Sequence, residues 1–455
     1  MSVLTVQVGQ CGNQLGAALF TTLAREAQAG NADLLTTTQW TFFRERGARS
    51  NSTGATHHAR AVLVDMEPKV VQACVAHPRA SLSGSPNGPG SLGGGPAWWR
   101  YDSACGLCGE GGSGNNWAMG YARHGPAACE AACDGPIRRE LEAMDHVGGV
   151  LLLQSMAGGT GAGLGARLAE EIRDRHPSVF LLSQSVWPHV GGDVTVQAYN
   201  TTLTLGHLVE ACDGVIVTGN ERLHRACVRL FDVKRPTLQD MNAVAARDMA
   251  GLLLPARHAR SDGRGARLRL LGDVVEHVCC HPGLPLLSLV SHPMMPPSTA
   301  EFEQYRWTAT MRGLHAAVKS AAAAEAGDAS PFDPAPASQL RALASLAVLR
   351  GDGAGEVSAE AVGEMMPHST ANPRPVCAAW HPSRFCGYGM SATLLSNCSM
   401  VAGTARRMVD RAYMMMDSRA YLHQYEGCGV GKQDLEEVLL RVEEVATRYD
   451  MLAVR

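Results

Sequence analysis

Charge of either sign is in short supply and nearly balanced. Lys and Arg number 40 and Asp and Glu 43 in 455 residues, a formal net charge of −3 with 18% charged residues. Soluble domains usually carry roughly a quarter. Such balance leaves no electrostatic footprint for nucleic acid, so no nucleic-acid partner is expected. Aromatic residues are few as well, at 5%; with abundant Ala and Gly this is a compositional bias with little functional content. No apolar run reaches the roughly 20 residues of a membrane span, which argues against a membrane-spanning class. The opening MSVLTVQVGQ lacks a basic stretch followed by an apolar one, so no secretory leader is expected. The 14 cysteines are then expected as thiols in a reducing compartment, the cytoplasm. The Asn-x-Ser/Thr triplets at Asn51, Asn200 and Asn397 carry no glycosylation meaning there.

What is present is a chain long enough for two or three domains, without internal repeats. Its first half alternates strand, loop and helix. VLTVQV (3–8), AVLVD (61–65), GVLLLQS (149–155), VFLLSQSV (179–186) and GVIVTGN (214–220) are continuous apolar runs, the pattern of parallel strands buried on both faces. Between them Leu15, Leu19 and Leu23, then Leu164, Leu168 and Ile172, repeat at helical spacing. The fold class is therefore α/β, a Rossmann-like parallel sheet with helices on both faces, and ligands are expected beyond the carboxyl ends of its strands. Thr237 and Asp240 resemble a capping box opening a long helix over 237–254. Apolar runs at 284–290, 342–349 and 391–397 predict strands of a second α/β layer. From 401 the pattern is helical, with Leu435, Val438, Leu439, Val442 and Val445 on one face of 434–449; that face suits either a partner or a domain cover. The expected division is 1–236, 237–254, 255–400 and 401–455, with loop insertions at 77–96 (Pro, Gly and Ser-rich, read as disordered) and 321–338.

SMAGGTGAGLG (155–165) follows the third of these strands. Glycine lets main-chain amides approach a ligand closely, and the usual client of such a loop is a phosphate. GAGLGA (161–166) matches a dinucleotide-binding pattern, but the next strand ends at SVWPH without the acid that would hold a ribose. No Lys-Ser/Thr follows the glycines, so the loop is not a Walker A.

Three further stretches narrow the choice: GQCGNQLG (9–16), VDMEP (64–68) and GSGNNWAMGY (112–121). With the glycine loop, in this order and spacing, they resemble the tubulin family. VQAYNTTLTLGHLVEACDGVIVTGNERL (196–223) extends the likeness, which covers nearly the whole chain apart from the two insertions. LVDMEPKV, GSGNNWA and YLHQY (421–425) are most similar to its delta-tubulin branch. The resemblance implies a tubulin-like fold: a GTP-binding domain, a second α/β domain and a C-terminal helical region. It implies GTP/GDP as ligand, held at its phosphates by Gln10, Cys11, Asn115, Ser155, Gly158, Gly159, Thr160 and Gly161. Asp65 and Glu67 would lie near the terminal phosphate, where Mg2+ is the natural reason to tolerate them, with Glu67 as its ligand. Asn220 and Asn242 match the family's base-reading asparagines, and Asp193 its pattern near the ribose. Two positions depart: Leu238 stands where the family stacks an aromatic on guanine, and Gln197 where it places an acid on the ribose. Weaker guanine-nucleotide binding is the expectation.

The family's hydrolytic acid acts on the nucleotide of the next subunit. In LLGDVVEHVCCHP (270–282) the matching residue is Asp273 or Glu276, depending on how the segment is aligned. The implied activity is a weak GTPase completed in trans, although the preceding ARLRL differs from the usual loop. Cys105 and Cys108, with Cys129 and Cys133 further on, have the look of a zinc site, yet the resemblance implies no metal there. Cys279 and Cys280 read as buried thiols, and Met414–Met416 as helix packing. The chain stops at RYDMLAVR without a long acidic tail, which points to a specialised role. Other tubulins or centriolar proteins are the implied partners, and the centriole or basal body at the base of a cilium or flagellum is the implied location. A general microtubule lattice subunit, a bacterial-type division GTPase and a dinucleotide enzyme are the rival readings.

Overall fold

The computed structural model describes residues 1–45, 56–76, 88–89, 98–189, 191–192, 194–258, 266–300, 302–325 and 340–454. The expected insertion 77–96 lies outside these apart from residues 88–89. In chain order the strands are β1 (Ser2–Val8), β2 (Phe43–Glu45), β3 (His57–Ala59), β4 (Ala61–Asp65), β5 (Trp99–Arg100), β6 (Gly106–Cys108), β7 (Val147–Ser155), β8 (Leu181–Trp187), β9 (Gly214–Gly219), β10 (Arg257–His258), β11 (Ala266–Arg267), β12 (Leu286–His292), β13 (Ala342–Gly351), β14 (Val376–His381) and β15 (Met390–Cys398). Twelve of them form one sheet in the order β11-β10-β14-β13-β15-β12-β9-β8-β7-β1-β4-β6. From β6 to β12 every neighbouring pair is parallel. Beyond β12 the ladder is mixed: β15 runs antiparallel to both β12 and β13, and β13 runs parallel to β14.

The distal strands do not form a layer of their own, as their apolar runs suggested. They continue the first sheet through β9 and β12, which meet at two register pairs, Leu286↔Val215 and Leu287↔Ile216. β14 was missing from the sequence reading because VCAAWH is short and mostly half-buried.

Side chains alternate across the pleat, and both faces are covered. Leu4, Val6, Val150, Leu152, Val215 and Val217 point to one core, roofed by helices Gly165–Arg175, Gln197–Ala211, Ala402–Asp417 and Lys432–Val454. Val3, Leu151, Leu153, Leu182 and Ile216 point to the other, under Gly9–Ala29, Asn220–Leu230, Leu238–Leu253 and Leu270–Val278. A third cluster joins the helix Trp307–Glu325 to the distal strands. Because this helix runs to Glu325, the first five residues of the expected insertion 321–338 are helical, their alanines carrying the pattern on; residues 326–338 lie outside the described chain.

The connecting helix begins as its sequence signals: Asp240 N–H donates to Thr237 Oγ1 (3.2 Å) and Thr237 N–H to Asp240 Oδ2 (2.9 Å). The last helix turns out to be a cover. Leu435, Val438, Leu439, Val442 and Val445 are all at most 5% exposed, within the first core. Of the methionine run, Met416 is buried and Met414 exposed.

Candidate nucleotide-binding cleft

The turns after β1, β4, β7 and β9, with the segment after β6, enclose a cleft of about 590 Å3 at the carboxyl ends of the parallel strands. Gln10, Cys11, Asp65, Glu67, Asn115, Ser155, Gly158, Gly159, Thr160, Gly161, Asn220, Leu238 and Asn242 all line it. Residues from 10 to 242 thus converge because most stand at or just beyond a strand end, with Leu238, Met241 and Asn242 on the connecting helix.

The glycines earn their place in two ways. Gly158 is open towards the cleft: a Cβ there would meet only Asn115 Oδ1, at 3.9 Å. Gly159 and Gly163 instead let loops lie on one another. A Cβ on Gly159 would come within 2.5 Å of Ser113 Cβ, and one on Gly163 within 2.0 Å of the Trp117 carbonyl oxygen. Residues Thr160–Leu164 form a π-helical turn before the α-helix proper begins at Gly165, a local widening common at functional sites. Its hydroxyl-bearing end is fixed by a hydrogen bond between Thr160 Oγ1 and Ser113 Oγ (3.0 Å).

Asp65 ends β4 almost fully buried, and burial pushes its carboxyl up to about 6. The Glu67 N–H donates to Asp65 Oδ1 (3.2 Å), while Oδ2 has no partner among the described residues. A buried carboxylate oxygen without a partner, an exposed Glu67 two residues on and the Thr160 hydroxyl make an oxygen-only donor set. That set suits a hard divalent cation shared with phosphates, which takes one or two carboxylates from the protein.

At the opposite side of the cleft Asn220 opens its helix directly after β9, and Leu238 and Asn242 sit one turn apart on the connecting helix. Leu238 is 59% exposed. Gln197 is not part of the lining: it is buried, and its Nε2 donates to the His189 carbonyl (3.2 Å), which turns the amide into the protein. Asp193 lies outside the described residues. Sequence reasoning missed Ser113, although it stands in the quoted GSGNNWA, and Gln14, one helical turn after Gln10. It also missed the apolar wall of Val70, Val186, Val194 and Met241.

Asp273 and Glu276 occupy the other end of the molecule. Their helix packs Leu271 beside Gly149, near the start of β7, whereas the cleft lies past Ser155 at its finish. The six residue steps of strand from Gly149 to Ser155 span about 20 Å, so neither acid reaches this chain's own cleft. Both carboxylates are gripped by one arginine. Arg269 Nε meets Asp273 Oδ1 at 2.6 Å, its Nη2 meets Glu276 Oε2 at 2.7 Å, and its N–H donates to Asp273 Oδ2 at 2.6 Å.

A family model described as the Tubulin/FtsZ family, GTPase domain, matches residues 2–228. Over the full length the chain is similar to tubulin delta chains: 31% identical to that of Mus musculus over 471 residues, covering 99% of this chain and 100% of the relative. The Homo sapiens delta chain gives 31% over 468 residues, with 99% of each chain covered.

The chain belongs to the tubulin family.

Its likeness to beta tubulins is lower, 27% over 467 residues for the beta-1 chain of Glycine max, with 98% of this chain and 94% of that one covered. The GTPase-domain match contains every cleft residue named above apart from Leu238, Met241 and Asn242, and the family's GTPase domain implies guanine-nucleotide binding. Among described residues no helix is long and apolar enough to cross a membrane.

Proposed function

We propose that this tubulin binds GTP and GDP in the cleft and serves centriole or basal-body microtubule triplets and the assembly of cilia or flagella. The observation that carries the reading is the full-length likeness to tubulin delta chains, 31% against 26–27% for beta chains. The amides of residues 158–161 and of Gln10 and Cys11 hold the phosphates at the mouths of two helices, where the peptide dipoles favour negative charge. Asn220 and Asn242 present donor and acceptor to the guanine edge, and Leu238 covers the base without a ring. Asp65 and Glu67 hold Mg2+, which neutralises phosphate charge when bound. Other tubulins or centriolar proteins are the partners.

Hydrolysis of bound GTP then needs a carboxylate from a neighbouring subunit, supplied by Asp273 or Glu276. Either orients or deprotonates the attacking water once Arg269 releases it. The decisive test is immunogold electron microscopy of the tagged protein at endogenous level. Label confined to centrioles or basal bodies beside the triplets supports the reading. Label along spindle and cytoplasmic microtubules makes the protein a general lattice subunit instead.

A further inference from the structure

Asn200 lies at 0% exposure in the helix Gln197–Ala211, yet its whole side-chain amide is used. Nδ2 donates to the Asn115 carbonyl (2.7 Å) and the Ala157 carbonyl (2.7 Å). Oδ1 accepts from the Trp117 N–H (3.0 Å) and the Tyr425 hydroxyl (2.6 Å). An amide has two donors and an acceptor with two lone pairs, so this one is filled. Asn115 and Ala157 both line the cleft and belong to different loops. Asn115 holds a left-handed backbone, φ 54°, which asparagine adopts more readily than most residues, and Asn200 fixes the direction of its carbonyl.

The fourth bond leads out of the GTPase domain. Tyr425 belongs to the short helix Leu422–Glu426 between the two long C-terminal helices. It is buried at 0% exposure and sets its ring edge-on to Tyr199, centroids 5.3 Å apart. Neighbouring contacts join the same two regions: Asn116 Nδ2 donates to the Gln424 carbonyl (3.3 Å), and Arg123 Nη2 to the Gly427 carbonyl (3.4 Å).

We propose that Asn200 and Tyr425 are positioning residues for the nucleotide: together they hold the 113–117 and 155–159 loops at their working separation and couple nucleotide occupancy to the C-terminal segment 421–430. The proposal rests on reading the cleft as a guanine-nucleotide site. Coupling between sites is reciprocal, so nucleotide tightens this segment just as the segment tightens nucleotide.

The test uses the full chain with a fluorescent GDP analogue, and amide hydrogen exchange read at 421–430. Tyr425→Phe keeps the ring and its contact with Tyr199 while removing one hydrogen bond. It is expected to weaken nucleotide binding about fivefold, the effect of losing roughly 1 kcal/mol. In the unaltered protein nucleotide slows exchange across 421–430, and in Tyr425→Phe that slowing is lost. A merely structural tyrosine would lower the melting temperature of nucleotide-free protein but leave the nucleotide-dependent slowing intact. If the unaltered protein binds no guanine nucleotide, the reading of the cleft fails, and this inference with it. If it binds and Tyr425→Phe binds within twofold, the inference alone is overturned. Should Tyr425→Phe not fold, the unaltered protein still decides: exchange at 421–430 indifferent to nucleotide refutes the coupling.

Discussion

The two ends of the parallel strands are built on opposite lines. At the carboxyl ends the cleft loops are braced by neighbours, Thr160 by Ser113 and the Asn115 and Ala157 carbonyls by the buried Asn200, while Asp65 Oδ2 is left without a partner among the described residues. At the amino ends, the carboxylates of Asp273 and Glu276 are both paired with Arg269. One end is pre-organised to receive a ligand, and the other is occupied with itself. On the proposed reading, in which both ends make one reaction site, the first sets affinity and the second sets how readily hydrolysis begins.

That contrast can be broken most severely at the first end. Gly163→Val would push its Cβ into the Trp117 carbonyl, a backbone atom with nothing flexible to give way. The expected loss is about 3 kcal/mol of stability, together with bound nucleotide, seen by thermal melting and by the nucleotide released on denaturing the purified protein. A melt unchanged from the parent would mean that the loops are not stacked as described.

Acid should loosen the distal part of the sheet. Burial, then the Arg350 and Arg257 cations, pushes His381 down to about 4, and its Nδ1 accepts the Ser383 N–H at 3.1 Å, as a neutral ring does. Its folded value lies below the unfolded one near 6.5. Stability is therefore full above pH 6.5 and falls as pH drops towards 4, because the unfolded chain takes the proton first. Burial also lowers His277, His292 and His368. Denaturation midpoints at pH 7 and pH 5 should differ, and His381→Gln should reduce that difference.

The self-occupied end can be freed. Arg269→Ala removes an exposed double ion pair worth about 1 kcal/mol and is expected to raise GTP turnover of assembled protein about fivefold. The Asp273→Ala, Glu276→Ala pair in the same background should abolish the gain. Turnover that ignores Arg269 would detach these acids from hydrolysis. The smallest effect is expected at the rim, where Leu238→Phe restores a ring. It should tighten guanine nucleotide by roughly 1 kcal/mol of stacking, about fivefold, measured by competition against a fluorescent analogue.

Much of this was readable from the chain. β1, β4, β7, β8 and β9 are continuous apolar runs because both their faces are covered, and the loops that follow them carry the cleft. What stayed hidden depends on side-chain direction or on distance. Nothing local in 196–200 says that Gln197 turns inward, or that Asn200 meets a tyrosine 225 positions later. Aligning Asp273 and Glu276 by pattern does not reveal that Arg269 holds them both. The join of the distal strands to the first sheet is equally invisible, since an apolar run says that a strand is buried but not which neighbour it takes.

That join has a mechanical meaning. β9 and β12 share two register pairs, whereas β8 and β9 on one side and β12 and β15 on the other share six each. A sheet bears tension and shear through its ladder, so within the central strands this seam is the thin line between two broader plates. Beside it Tyr449 ties β12 to β15, its hydroxyl accepting the Leu286 N–H at 2.7 Å and donating to Asn397 Oδ1 at 2.8 Å. A strain that parts the two halves of the plate there would leave β12 and β15 bound to each other through Tyr449 and to the last helix that carries it.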